Sequence, residues 1–270
     1  MCFARRRRIA VILTAIVLSG CAISHRDEVR MGEEYAQQIE SELPIVRDPE
    51  TNRYLTVLGD SLARLVDTRS LAWRFVLVDS REVNAFALPG GFVYVTRGLV
   101  ERTIQMDQLA GVLAHEIAHV THRHAVEQLE KAQTASVGVT LVCILTGVCE
   151  SPLARAGIDI GGAAVFAHHS REDEREADAE AVRTLVRAGI HPSGMIELLE
   201  TLLAERERRP DALEAWFSTH PTEEERIANA RQLVAAIDSA VLATLTMNSP
   251  RFQAFRDRLA SLPPVASMRP

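Results

Sequence analysis

Two histidines four residues apart, His115 and His119, enclose Glu116 in the segment His115-Glu116-Ile117-Ala118-His119. The segment lies in an apolar-periodic run, Gln108 to Leu129, that predicts a helix. Residues four apart share a helix face, so both imidazoles can reach one ion. Glu116 projects beside them and can hold the water that ion polarises. Two histidine ligands and a carboxylate base are the parts of a zinc-dependent hydrolase. Five residues with three fixed positions also arise by chance, as a solvated polar stripe. Against that, Leu109, Val112, Leu113, Ile117 and Val120 make the helix largely buried, and a buried histidine pair needs partners.

A catalytic zinc needs a third protein ligand and one open position. A local third histidine, in the extended pattern H-E-x-x-H-x-x-G-x-x-H, is excluded, because those positions hold His122 and Ala125. Farther along, a second helical pattern from about Ala163 to Ala188 carries Glu174 and Asp178, four apart on one face. Glu174 can bind the ion while Asp178 accepts a hydrogen bond from the other ring nitrogen of a ligating histidine, fixing its tautomer. Alone, the dense charge from Arg171 to Glu180 reads as a solvated run; paired with the upstream motif it reads as part of the site.

The combination of HEIAH at 115–119 with SREDEREAD at 170–178 resembles peptidase family forty-eight, the HtpX and CAAX-prenyl-protease metallopeptidases, and most of all its periplasmic lipoprotein members. The resemblance covers roughly Glu28 to Leu262. It implies an α+β, mainly helical, zincin-like fold with a small sheet beside the zinc-binding helix. It implies one zinc ion per chain, held by His115, His119 and Glu174, with Glu116 as base and Asp178 behind the ligands. His169 departs from the aromatic residue that relatives often carry before S-R-E.

The first residues read as a targeting segment. Arg5 to Arg8 form a basic region, Ile9 to Val17 an apolar core, and Leu18-Ser19-Gly20-Cys21 a lipobox. Cleavage before Cys21 would leave a lipidated cysteine as membrane anchor, and Ala22 after it favours the outer membrane by resemblance to known sorting rules. Residues 1–20 are thus a signal peptide, and 21–270 one domain: N-terminal helices over 22–70, sheet and site helices over 71–188, C-terminal helices over 189–270. The formal charge of −6 becomes −10 without the four signal arginines, which argues against a nucleic-acid partner. Cys143 and Cys149 remain as a pair in an oxidising compartment; a disulfide and buried free thiols are both open.

Arg30 to Leu43 and Thr51 to Leu65 predict helices, and Trp73 to Asp79 and Phe92 to Thr96 predict strands. Between the strands, Pro89-Gly90-Gly91 signals a turn. The stretch N-A-F-A-x-P-G-G-x-V-Y-V-T also resembles the family. That resemblance makes the Phe92–Thr96 strand the sheet edge where an extended substrate adds, with Gly91, Phe92 and Val93 in contact with it; a simple core hairpin, with Phe92 and Val93 as core side chains, is the equal alternative. Ser136 to Val148 is apolar but too short to span a bilayer, which takes at least ~17 residues. It reads as a core helix, with a lipid-touching lid as the alternative, and Gly157 to Gly162 as a hinge. After Ala240 only a short tail with Phe252 to Leu262 remains, so no tetratricopeptide module is expected.

Near the C-terminal part, Thr222 and Glu225 form a capping box that holds His220 on a short lead-in stiffened by Pro221. Such a histidine can donate to an oxyanion or occupy the open zinc position. The S-T-H-P-x-x-x-x-R string resembles the family, which places His220 at the active site with Arg226 supporting it. His122, His124 and His168 read as structural. The expected activity is endoproteolysis of unfolded or misassembled envelope polypeptides, with outer-membrane assembly machinery as a partner. A chaperone-like assembly factor that binds without cutting is the rival, and a zinc amidase acting on small molecules or cell-wall peptides a second.

Overall fold

The computed structural model describes residues 22–134, 169–220 and 224–263. Two helices lead, α1 (His25–Glu42) and α2 (Pro49–Val66), followed by strands β1 (Arg74–Val78), β2 (Ala85–Leu88) and β3 (Phe92–Thr96). Then come α3 (Arg97–Arg102), α4 (Met106–Thr121), α5 (His124–Thr134), α6 (Arg171–Arg187), α7 (Ser193–Arg206), α8 (Pro210–Thr219), α9 (Glu224–Ala235), α10 (Ser239–Leu242) and α11 (Pro250–Ser261). Helices dominate and one small sheet sits among them, the α+β class the sequence predicts. Among the described residues no helix is long and apolar enough to cross a membrane. The Cys21 lipobox, Cys143 and Cys149, the 136–162 stretch, His168 and Thr222 lie outside the described residues.

The sheet order is β1-β3-β2, with β1 parallel and β2 antiparallel to β3. Both faces are covered. Phe75, Leu77, Val93 and Val95 point into the main core with α2 and α4, whereas Val76, Val78, Phe92 and Tyr94 pack under Ala36, Ile39 and Leu43 of α1. Although Phe92 to Thr96 reads as an alternation of apolar and polar residues, Tyr94 and Thr96 are as buried as Val93 and Val95, because β3 is covered on both faces. The Gly90–Gly91 turn works because both glycines have positive φ, +83° and +101°, a conformation open to glycine at little cost.

This arrangement corrects one sequence expectation. The Phe92–Thr96 strand is the centre of the sheet, not its edge. Phe92 and Val93 are buried, and the Gly91 carbonyl accepts from Arg74 N–H at 2.9 Å, so none of the three has a free backbone edge to offer. The strand beside α4 is β2, which the sequence presents only as the approach to a turn.

Helix α4 is the hub, buried on all sides from Asp107 to Val120 and packed against α2, α6, α7 and β2. Its crossing with α7 is close: a Cβ at Gly111 would lie 2.7 Å from the Met195 Cβ. Helix α6 starts on a capping box, in which Ser170 Oγ accepts from Asp173 N–H and Asp173 accepts from Ser170 N–H. The acidic first turn (Glu172, Asp173, Glu174) suits the positive helix N-terminus. The predicted run from Gln108 to Leu129 proves to be two helices. Arg123, at φ +62°, breaks it between α4 and α5.

Candidate metal centre

Helix α4 brings His115 and His119 to one face, with their Nε2 atoms 2.9 Å apart. Helix α6 lays the Glu174 carboxylate across them, at 3.5 Å from His115 Nε2 and 3.4 Å from His119 Nε2. From the end of α8 comes His220, whose Nδ1 lies 3.4 Å from His115 Nε2 and 3.3 Å from Glu174 Oε1. Donors held ~2.0–2.2 Å from a tetrahedral ion lie about 3.3–3.6 Å from one another, so these separations are close to the edges of one coordination tetrahedron. All four residues are buried.

Hydrogen-bond partners fix which nitrogens converge. His115 Nδ1 is 3.0 Å from Asp178 Oδ1, a pure acceptor, so the ring proton belongs on Nδ1 and the lone pair on Nε2. His119 Nδ1 faces His124 Nδ1 at 2.8 Å, and His124 Nε2 in turn faces Glu176 Oε2 at 3.1 Å. The carboxylate accepts a hydrogen bond from His124 Nε2–H, so His124 Nδ1 accepts from His119. With both rings neutral, the two Nε2 lone pairs would face each other across 2.9 Å, so this seat takes either a proton shared between the rings or a divalent cation bonded to both. The donor set fits a zinc-type ion.

Arg226 supplies the counter-charge behind the carboxylates. Its Nε and Nη2 donate to Asp178 at 2.7 and 2.6 Å, and its Nη1 pairs with Glu174. Burial opposes ionisation of Glu174, but Arg226 and then the histidines overcome it and hold its carboxyl well below the ordinary range. Asp178 is likewise lowered against burial, by Arg226 and His115. His115 is opposed by burial, yet Asp178 and Glu174 raise it to about 9; a proton and a cation thus compete for the same seat. His119 is driven well below its ordinary value by burial and by His169 and His115. Burial raises the Glu116 carboxyl, whose Oε1 lies 3.3 Å from His220 Nε2.

The sequence-predicted residues His115, Glu116, His119, Glu174, Asp178, His220 and Arg226 therefore meet in one buried cluster. Gly91, Phe92 and Val93 do not join it. Two histidines read as structural or as packing prove closer than expected. His124 orients His119, although five residues on it falls off the helix face unless the chain turns at Arg123. His169 stacks on His119 with ring centroids 3.7 Å apart. The C-terminal end of α4 is clamped too: buried Glu28 takes Arg69 and Arg123 at 2.8 Å each, and Arg69 also donates to the Val120 carbonyl at 2.7 Å. Both α1 and the loop before β1 thereby tie down the helix that carries His115 and His119.

Against known proteins, the family model "Peptidase family M48" matches residues 49–234. The chain is 33% identical over 225 residues to the "Beta-barrel assembly-enhancing protease" of Escherichia coli K12, covering 79% of this chain and 45% of that protein. It is 32% identical over 156 residues to "Metalloprotease YcaL" of the same organism, 57% of this chain and 59% of the relative. It is 29% identical over 211 residues to "Mitochondrial metalloendopeptidase OMA1" of Schizosaccharomyces pombe, 74% and 59% respectively. The chain spans about half the length of these curated relatives. With the family model covering well over half of its residues, across β1–β3, α4 and α6 alike, this chain belongs to peptidase family M48.

Proposed function

We propose that this chain is a zinc metalloendopeptidase of the cell envelope that cleaves unfolded or misassembled proteins. The observation that carries the reading is the convergence of His115 Nε2, His119 Nε2 and the Glu174 carboxylate beside a buried Glu116. Those three side chains would hold the cation. When bound, the cation supplies Lewis acidity, drawing the pKa of a water down toward ~7 and polarising a peptide carbonyl.

The chain's own residues do the rest. Glu116 takes the proton from the attacking water and later delivers it to the leaving amine nitrogen; a carboxyl raised by burial is suited to carrying that proton between the two steps. Asp178 and His124 keep the ligand imidazoles in the correct tautomer. Arg226 keeps Glu174 and Asp178 ionised. His220 occupies the fourth corner and contacts Glu116, where substrate must come. We therefore read this arrangement as a resting state, with His220 withdrawing to donate to the carbonyl oxygen once substrate enters.

Substrate would add along β2, not β3. Thr96 N–H donates to the Asn84 carbonyl, so the hydrogen-bonded pairs recur at Phe86 and Leu88. Ala85 and Ala87 then turn their N–H and C=O groups away from β3, at a position that is buried for Ala85 and partly exposed for Ala87. A small hollow between Leu88, Pro89, Val126, His119 and His169 continues from that edge. An extended backbone read this way gives loose sequence preference, which suits unfolded substrates. The proposed anchor is lipid on Cys21 in the outer membrane, and the name of the E. coli relative makes outer-membrane assembly machinery a candidate partner.

The test is digestion of unfolded casein by zinc-loaded protein and by Glu116→Gln. Loss of roughly 10²–10⁴-fold in kcat with zinc still bound supports the proposal. Equal cleavage by the variant contradicts it, and cleavage by neither protein would favour a binding-only assembly factor.

A further inference from the structure

Beside the central cluster, and facing solvent, lies a second group of ligand-type side chains. His122 Nδ1 is 3.1 Å from Glu176 Oε1 and His124 Nε2 is 3.1 Å from Glu176 Oε2. Glu180, one turn along α6, places Oε2 3.9 Å from His122 Nε2. Arg123 stands between the two histidines in a left-handed conformation, φ +62°, that a non-glycine residue adopts only under strain. It is pinned there by Glu28 at 2.8 Å and by the Ile23 carbonyl at 2.6 Å. That turn aims two histidines, i and i+2, at one carboxylate. On the facing helix Arg183 already pairs with Glu180 at 2.6 Å, which leaves Glu176 as the carboxylate that the two histidines share. Glu176 is half exposed and His122 partly so, while His124 is buried behind them, so ions reach the group from solution past Glu176 and His122.

We infer that His122, His124 and Glu176 form a second divalent-metal site, distinct from the central one, for a borderline cation such as Zn²⁺ that takes imidazole and carboxylate together. The site stands on its own donors. Its consequence for activity rests on the central reading of His119 as a ligand, because His124 belongs to both groups. With the central cation held by His119 Nε2, the His119 proton is on Nδ1 and is donated to His124 Nδ1 across 2.8 Å. The His124 proton is then on Nε2, and the peripheral site is closed. A cation on His124 Nε2 moves that proton to Nδ1, where it is donated to His119 Nδ1. The His119 proton must then sit on Nε2, and each ring still carries one. His119 Nε2 is then no longer a ligand. The two sites are antagonistic, and zinc beyond one equivalent inhibits.

The experiment titrates Zn²⁺ into chelator-stripped full-length protein, counting bound zinc by equilibrium dialysis and following casein cleavage in parallel. The wild type should bind one zinc tightly and a second more weakly, with activity rising to one equivalent and falling as the second binds. His122→Ala should keep the tight zinc and the low-zinc activity. It should weaken the second class by more than the roughly 10–100-fold that even an outer partner of a metal site commands, and inhibition should move to correspondingly higher zinc. A single class in the wild type, or inhibition unchanged in His122→Ala, overturns the inference. Glu174→Ala separates the two readings. It should remove the tight class and leave the weak one; a tight class that survives it sinks the central assignment while the peripheral site is judged by His122→Ala alone.

Discussion

Replacing Arg226 with methionine removes the only guanidinium that reaches both Asp178 and Glu174 among the described contacts. The side chain is 6% exposed, and its partners 4% and 0%, so solvent cannot replace it. Taking away one member of a buried ion pair typically costs about 3–5 kcal/mol, because the remaining charge stays desolvated. At ~2–4 °C per kcal/mol for a domain of this size, melting should fall by roughly 6–20 °C in chelator-treated protein. The pH dependence has a definite sign. Both carboxyls are lowered in the folded chain. Their contribution is therefore present above their unfolded values near ~4 and is lost as pH falls through the depressed folded ones. The deficit of the variant should be widest near neutrality and narrow below about pH 4. Arg226→Lys, which keeps the charge but loses the two-pronged contact, should fall between. Urea unfolding of the three proteins from pH 3 to 8 measures this. A neutral-pH loss below ~1 kcal/mol, or a deficit that grows on acidification, would refute the counter-charge role.

Other expectations follow from the same packing. Asp107 is buried at the start of α4, and burial first and Glu197 second push its carboxyl up to about 7. The folded chain then binds an extra proton between the unfolded value near ~4 and that point, so stability declines as pH rises through this window. Asp107→Asn should stabilise by about 1–3 kcal/mol at pH 8 and by nothing near pH 4; chemical unfolding at both pH values checks this, and equal stability of the two proteins at pH 8 would contradict it. Gly111→Ala puts a methyl 3.0 Å from the Met195 Cα and should cost about 1–3 kcal/mol by forcing α4 and α7 apart; an unchanged melting temperature would show that the crossing can yield.

Much of the site is legible in the chain because its chemistry is local on each helix. His115, Glu116 and His119 are set by the period of α4, and Glu174 and Asp178 by that of α6, which starts on its own capping box. Helix-period spacing says which side chains share a face, and a metal needs only two such faces to meet. What the sequence hides depends on partners far away in the chain. β3 lies in the middle of the sheet because β1, from earlier in the chain, pairs with its other edge in parallel, a partnership that nothing within Phe92–Thr96 announces. His124 reaches His119 only through the left-handed Arg123, itself held by Glu28 from the first helix. Burial of α4 on every side likewise reflects four separate elements closing round it.

Anomalous diffraction at the zinc edge, from crystals of the protein loaded with one equivalent of Zn²⁺, shows where the ion sits. One strong peak is expected, within ~2.0–2.2 Å of His115 Nε2, His119 Nε2 and a Glu174 carboxylate oxygen. A peak bound elsewhere, or none between the two imidazoles, would contradict this ligand assignment.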